Sequence, residues 1–377
     1  MSRHGVLRAR PTQLLGALVA GLLGALALAA PAAAHGADAP DGTNYRSTVR
    51  GVNPQVPGLT VRVIEAGARL ELLNHTGRTI EVLGYAGEPY LEIRPDGVYE
   101  NSRSPATYLN RTLDGETGIP AGADPSQPPS WQRVGTEPLA RWHDQRSRWT
   151  GSGQPPAVAA APEQEHRIRD WVVPLRDGTT ALELHGSLDW LPPPDPFPWW
   201  ALSLLGGLAV GALGLLPGAS RAGRAGTVAL AALAGLGGVA AIGFALGRGA
   251  DAGTGALLGV LFGGQLWPTL TGLGALAAGA YAISRRPAAD FALALAGTGL
   301  ALFAGVTNAA VFLRSVVPVP WPAGAARLLV ALVIAIGAGL TMAGVLRLRA
   351  TRPVDPAAPE DPVAASPRAG LRTAEGG

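Results

Sequence analysis

The 377-residue sequence contains no cysteine. This excludes a disulfide framework, a thiolate metal site, a cysteine nucleophile and a lipidated cysteine anchor. Lysine is absent too, since all 30 basic residues are arginine. Schiff-base chemistry and a phosphate-loop lysine go with it. Charge is scarce overall, at 15% against the roughly 25% of an ordinary soluble domain. The scarcity is local. Residues 199–349 hold two acids, Asp251 and Asp290, no histidine and one methionine, Met342. Residues 35–198 carry 15 arginines and 21 acids, the balance of an ordinary acidic domain. The formal net charge of +3 comes from the rest of the chain, so nucleic acid is a poor partner for it.

The hydrophobic content, 47%, is concentrated in runs. Arg3, Arg8 and Arg10 precede an apolar stretch from Leu14 to Ala30, and Ala32-Ala33-Ala34 then supplies small residues. That order is a secretory signal over residues 1–34, with cleavage leaving His35 as the mature N-terminus. An uncleaved first membrane helix is the other reading, although about 17 apolar residues is the lower edge for spanning. Five further stretches, 199–216, 227–247, 255–283, 291–313 and 328–346, approach or exceed the length a bilayer demands. They predict an all-α membrane bundle of five helices over 199–349. Trp267-Pro268 is expected to kink or break the third. Trp199, Trp200 and Trp321 sit where interfacial anchors belong.

With a cleaved signal, the inner loops carry Arg221, Arg224, Arg285, Arg286, Arg347, Arg349 and Arg352, and the outer loops Arg248, Arg314 and Arg327. This bias follows the positive-inside rule and predicts a cell-membrane protein with residues 35–198 outside. The tail, 350–377, is rich in proline, alanine and charge, and is expected to be disordered and cytoplasmic. Glycines at four-residue spacing, Gly207/Gly211, Gly243/Gly247 and Gly255/Gly259/Gly263, allow close helix approach, within one bundle or between copies. No ionisable group lies at depth, which argues against a pump or an ion-coupled transporter.

Residues 35–190 predict an all-β exported domain, an immunoglobulin-like antiparallel β-sandwich. Val61, Val63, Leu70, Leu72, Ile80 and Val82 alternate with Arg62, Arg69, Glu71, Thr79 and Glu81, the period of strands with one buried face. Asn74-His75-Thr76-Gly77 and Arg94-Pro95-Asp96-Gly97 are turns, and Leu182, Leu184, Leu188 and Trp190 mark another strand. The proline-rich 191–198 reads as a stiff spacer holding the domain above the membrane.

Few residues could carry chemistry. A mature N-terminal His35 offers its amino group and imidazole to one metal, and Cu(II) accepts nitrogen ligands in a plane. His143 and Asp144 are the candidate completing pair, although no metal-ligand spacing joins them to it. The second cluster runs from Arg141 to Trp149. On a short helix near 137–149, Trp142 and Trp149 would share a face, Asp144 would pair with Arg148, and Arg146 would lie over Trp142. The cluster reads as an arginine–tryptophan packing motif or, with Trp142, His143, Asp144, Arg146 and Tyr108, as a ligand site. Ser102, Arg103, Ser104 and Tyr108 form a polar loop. Ser147 lies beside His143 and Asp144, but no nucleophile elbow surrounds it.

The stretch from Leu91 to Asn110, followed by Arg141-Trp142-His143-Asp144, resembles a family of actinobacterial exported multi-pass membrane proteins without an assigned activity. That resemblance implies topology and no chemistry. Small residues before His35, a small β domain and a helical membrane part are together loosely similar to CopC/CopD-type copper proteins, which implies copper as a cofactor. The spans lack histidine and hold a single methionine, Met342, which does not support a copper-handling membrane half. Three functions follow as expectations. They are a membrane-anchored extracytoplasmic binding or assembly protein, a Cu(II)-binding protein using His35, and a small-molecule or lipid transporter component. Expected partners are the lipid bilayer and another membrane or cell-surface protein. A hydrolase using His143 and Asp144 is least supported.

Overall fold

The computed structural model describes residues 41–253, 264–284, 286 and 288–350. The expected signal, His35, the Gly255/Gly259/Gly263 series and the tail beyond Ala350 lie outside the described residues.

Among the described residues, ten strands form two antiparallel sheets. They are β1 (Tyr45–Asn53), β2 (Leu59–Ile64), β3 (Arg69–Asn74), β4 (Ile80–Leu83), β5 (Pro89–Arg94), β6 (Gly97–Asn101), β7 (Trp131–Gly135), β8 (Leu139–Trp142), β9 (His166–Asp177) and β10 (Thr180–Trp190). The larger sheet has the order β1-β10-β9-β4-β5-β6-β7 and the smaller β2-β3-β8. Both contribute to one core. Leu70, Leu72, Ala140 and Trp142 from the smaller meet Val82, Ile93, Val173, Leu175, Leu182, Leu184 and Leu188 from the larger. Two short helices, α1 (Pro105–Leu109) and α2 (Pro156–Ala160), lie in the connections.

The apolar alternation seen in the sequence is obeyed. Leu182, Leu184, Leu188 and Trp190 are all buried. Gly186 faces Trp171 across the β9–β10 ladder, where the indole occupies the space a Cβ would take. The polar half of the pattern is obeyed only in part, with Arg62 exposed. Glu71 and Glu81 are buried as well, because their face is covered: Glu71 by Arg62 and Arg141, Glu81 by Arg176. The helix expected near 137–149 is also corrected. The chain there is strand β8 followed by turns, since Leu139 to Trp142 pairs with Leu73 to Leu70 of β3.

Among the described residues, five helices are long and apolar enough to cross a membrane. They are α3 (Phe197–Ala212, with a 3-10 turn to Leu215), α4 (Arg221–Asp251), α5 (Leu266–Ile283), α6 (Ala289–Gly299) and α7 (Ala323–Ala350). α6 continues through a π segment, Leu300–Gly305, and a 3-10 segment ending at Phe312. Their limits agree with the hydrophobic runs to within a few residues, except that the third run is described only from Gly264. Pro268 does not kink α5. It occupies the first turn after Gln265, where its missing N–H loses no intrahelical bond. α7 packs against α3, α4 and α6. Gly207 lies against Ala335 and Gly211 against Met342, both on α7, so this glycine pair serves packing within the bundle. Gly247 is covered by Trp321, and Gly243 faces open space.

The 191–198 segment does not stand free as a spacer. The Leu191 N–H donates to the Asn44 carbonyl at 2.8 Å, and the Pro192 carbonyl accepts from the Ser315 hydroxyl. Thr43 and Val316 exchange two backbone hydrogen bonds. The β domain is therefore stitched to the α6–α7 connection at its own first strand.

Candidate functional site

The Arg141–Trp149 cluster divides at His143. Residues 142–144 are all buried, and His143 and Asp144 bond to different groups. His143 Nδ1 lies 2.9 Å from the Ala68 carbonyl, and Arg69 Nε donates to His143 Nε2 at 3.1 Å. A guanidinium can only donate, so the imidazole proton is on Nδ1. Asp144 instead receives Trp142 Nε1 at 3.0 Å and a two-pronged bond from Arg146, 2.8 Å to each oxygen. The Arg146 backbone N–H adds a bond of 3.0 Å to Oδ1. The Arg146 guanidinium lies over Tyr85, 4.9 Å from the ring centroid, not over Trp142. Asp144 pairs with Arg146 and not with Arg148, which reaches Asp114. Burial, with Asp144 nearby, pushes the Tyr85 hydroxyl well above its ordinary value. The hydroxyl donates to Asn110 Oδ1 and accepts the Gln145 N–H.

These contacts use up the proposed chemistry. Both imidazole nitrogens of His143 and both oxygens of Asp144 are engaged, so the pair does not fit a copper site. Among the described residues, no group of three or more His, Cys, Asp or Glu could hold a metal ion. Ser147 Oγ donates to the Asp144 carbonyl at 2.9 Å, which leaves it no base. Tyr108, on α1, donates to the Ser102 carbonyl at 3.0 Å, with Arg111 over its ring. Ser104 caps α1 and donates to Glu88 at 2.6 Å. The polar loop expected to face a ligand is therefore tied into the domain.

His143 does lead to a second site, which sequence reasoning missed. It braces Ala68 and Arg69 at the end of the turn between β2 and β3. That turn, Glu65–Gly67, holds two consecutive non-glycine residues in left-handed conformation, Glu65 at φ 54° and Ala66 at φ 52°. Each such residue costs on the order of 1–3 kcal/mol and persists only where its surroundings demand it. The demand comes from the bundle. The Ala66 N–H donates to Asp251 Oδ2, at the C-terminal end of α4, at 2.9 Å. A carboxylate at a helix C-terminus opposes the helix dipole, and the donated N–H offsets this.

The same helix end receives a second element. Arg141 on β8 bonds Glu71 Oε2 at 2.7 Å and also donates to the Gly253 carbonyl. A cation against the last carbonyls of a helix is favoured. Gly253, at φ +68°, closes α4, and a Cβ there would lie 2.5 Å from Glu71. Arg62 completes the set, 2.5 Å from Glu71 Oε1. Burial pushes the Glu71 carboxyl up, but Arg62 and Arg141 outweigh it and hold the group below its ordinary value. Arg248, one turn earlier on α4, bonds Asp41 at 2.7 Å and the buried Asn308 at 3.0 Å.

A cleft of about 190 Å³ opens beside the strained turn, with Tyr45, Ser147, Trp149 and Arg314 on its walls. It is smaller than the roughly 300–1,000 Å³ that encloses a drug-sized ligand. The site is thus a joint between two parts of the chain. Comparison with family models, curated proteins and solved structures finds no match, so the two resemblances rest on the residues quoted for them.

Proposed function

We propose that the chain is a membrane-anchored extracytoplasmic binding or assembly protein, whose β domain is held in fixed register on the outer end of a five-helix bundle. The observation that carries this reading is the joint at the end of α4. A tether needs one span and a loose linker, whereas here a strained turn, Arg141 and Asp251 fix an orientation. In this reading the β domain is an immunoglobulin-like sandwich in its use of two facing sheets, with seven and three strands in place of four and three. The topology is that of an exported domain and a cytoplasmic arginine-rich end. The placement of Arg221, Arg224, Arg286, Arg347 and Arg349 at the bundle end away from Asp251 supports it. The partner is another membrane or cell-surface protein meeting the exposed β-domain surface, where Val134 on edge strand β7 is 58% exposed. Edge strands offer unpaired backbone groups to a partner strand.

The test is photo-crosslinking in cells from Ile119, Val134 and Val172, three exposed apolar positions of the β domain. A discrete adduct is expected, weakened when Asp251→Ala and Arg141→Ala loosen the joint. Absence of a discrete adduct from all three positions, with the protein correctly inserted, rejects the reading.

A further inference from the structure

The bundle end away from the β domain carries a cavity of about 490 Å³. The ends of all five helices converge on it: the last turns of α3, α5 and α7 and the first turns of α4 and α6. Its volume is within the range of small-molecule sites. Among the described residues its charge is one-sided, with Arg224, Arg286 and Arg347 against a single acid, Asp290. Arg347 is buried, its side chain 8% exposed, and its one acidic partner among the described residues, Asp290, is at ion-pair distance without a hydrogen bond. It donates to Thr227 Oγ1 at 2.8 Å and the Leu213 carbonyl at 3.2 Å, both neutral, while Asp290 stands at 3.6 Å. Its Nε N–H is buried with no acceptor among the described residues. A buried guanidinium with one unmade bond and only a loose ion pair is costly unless a further anion completes it.

The first turn of α4 adds to this. It holds Arg221 and Arg224 and no acid, and cations there oppose the helix dipole. Arg224 donates to the Ala219 carbonyl at 2.8 Å. Gly226 leaves room for Arg347, since a Cβ there would come 3.1 Å from its Nη2. The rest of the wall is apolar. Val228, 56% exposed, and Ile283, 61% exposed, lie on it at the rim of a membrane-length bundle.

We infer that this cavity binds the phosphate headgroup of an anionic phospholipid. The arginines take the phosphate, and Val228 and Ile283 meet the start of the acyl chains. A basic pocket between helix ends, open to apolar rim residues, matches such a headgroup. Free phosphate shares the charge but gains nothing from the apolar rim. The site is separate from the joint at the other end of α4 and does not depend on how that joint is read.

The test uses the full chain purified in nonionic detergent. Phosphatidylglycerol, phosphatidylcholine with the same acyl chains, and inorganic phosphate are offered in turn. Native mass spectrometry reads retained lipid and a thermal scan reads stabilisation. One phosphatidylglycerol per chain is expected to be retained and to raise the unfolding temperature, with phosphatidylcholine doing neither. Arg224→Gln combined with Arg286→Gln should lower retention roughly tenfold, about one charge-assisted contact. Both side chains are exposed, and Arg347 is left in place to hold α4 to α7. Val228→Asp, a substitution at an exposed rim position, is the second variant and should also expel the lipid. Arg314→Gln, at the opposite end, should leave retention unchanged. Equal retention of both lipids, or undiminished retention in both cavity variants, overturns the inference. Equal stabilisation by inorganic phosphate, with displacement of the lipid, overturns the lipid assignment.

Discussion

The β domain and the helical bundle fill their interiors by different means. The β-domain core is built from large side chains, Leu70, Ile93, Trp171 and Leu184 among them, and tolerates a fully buried carboxylate, Asp144, because four donors reach it. The main bundle cluster is mostly alanine, and its closest contacts are between backbones at glycine. The contrast is the one expected of helices apolar enough to cross a membrane. In water, removal of large apolar surface drives packing. In lipid that drive is missing, and helices gain by approaching closely enough for dispersion contacts. The β domain should therefore be broken by removing a polar partner, and the bundle by adding a single methyl group.

Asp144→Ala is the largest effect expected. It leaves Arg146 with a buried charge and Trp142 with an unmet indole N–H. Loss of one member of a buried pair costs about 3–5 kcal/mol, read as a lowered melting temperature of the β-sheet circular dichroism signal. A change near zero would mean that water replaces the carboxylate. Gly337→Ala should follow, at about 1–3 kcal/mol. A Cβ there would lie 2.5 Å from the Ala301 nitrogen on α6, and Gly297 meets the Gly337 carbonyl in the same way. Gly243→Ala is the control, since its Cβ would meet nothing, and the helix preference of alanine should make it neutral to stabilising, by up to about 1 kcal/mol. Equal effects at the two glycines would deny that backbone approach holds the bundle together.

The contrast also explains what could be read in advance. The five spans were legible because membrane thickness fixes the length of an apolar run, and Phe197–Leu215 and Ala323–Ala350 lie almost where the runs predict. The apolar faces of β3 and β10 were legible from their period of two. What was missed concerns charge. Glu71 reads as a solvent-facing residue because its strand alternates, and nothing local announces that α4 ends against it. A helix through 137–149 would pair Asp144 with Arg148, whereas the pairing of β8 with β3 ends the strand at Trp142 and brings Arg146 to Asp144. A faint signal for the joint did exist in Asp251 and Gly253, an acid and a glycine closing a long apolar helix.

Asp251→Ala tests whether the two regions are mechanically joined. The Ala66 N–H loses a charged acceptor, at about 1.5–3 kcal/mol for such a bond, and the strained turn is free to relax, which returns part of that cost. The expected net loss, about 1–2 kcal/mol, is local, so amide hydrogen exchange at Glu65–Ala68 should accelerate while the β10 core keeps its protection. Acceleration throughout the β domain would show that the bundle supports its folding and not only its orientation.

The smallest effect is pH-dependent and isolates the ion pairs of Glu71. Its carboxyl is held below the ordinary value despite burial, because Arg62 and Arg141 outweigh desolvation. A depressed folded value means that the unfolded chain binds the proton more readily. The stabilisation is thus complete at neutral pH and is lost as pH falls below roughly 4.5, through the folded value. Arg62 is half-exposed, so water screens the pair and the size should be under about 1 kcal/mol. Glu81 and Glu100 are shifted the other way, with burial the leading cause for each, and they stabilise on acidification. The Glu71 contribution must therefore be taken as the difference between wild type and Glu71→Gln across this range. That difference should shrink as pH falls. If it is flat with pH, Arg141 is held by the Gly253 carbonyl alone, and the joint depends on the helix end more than on the ion pair.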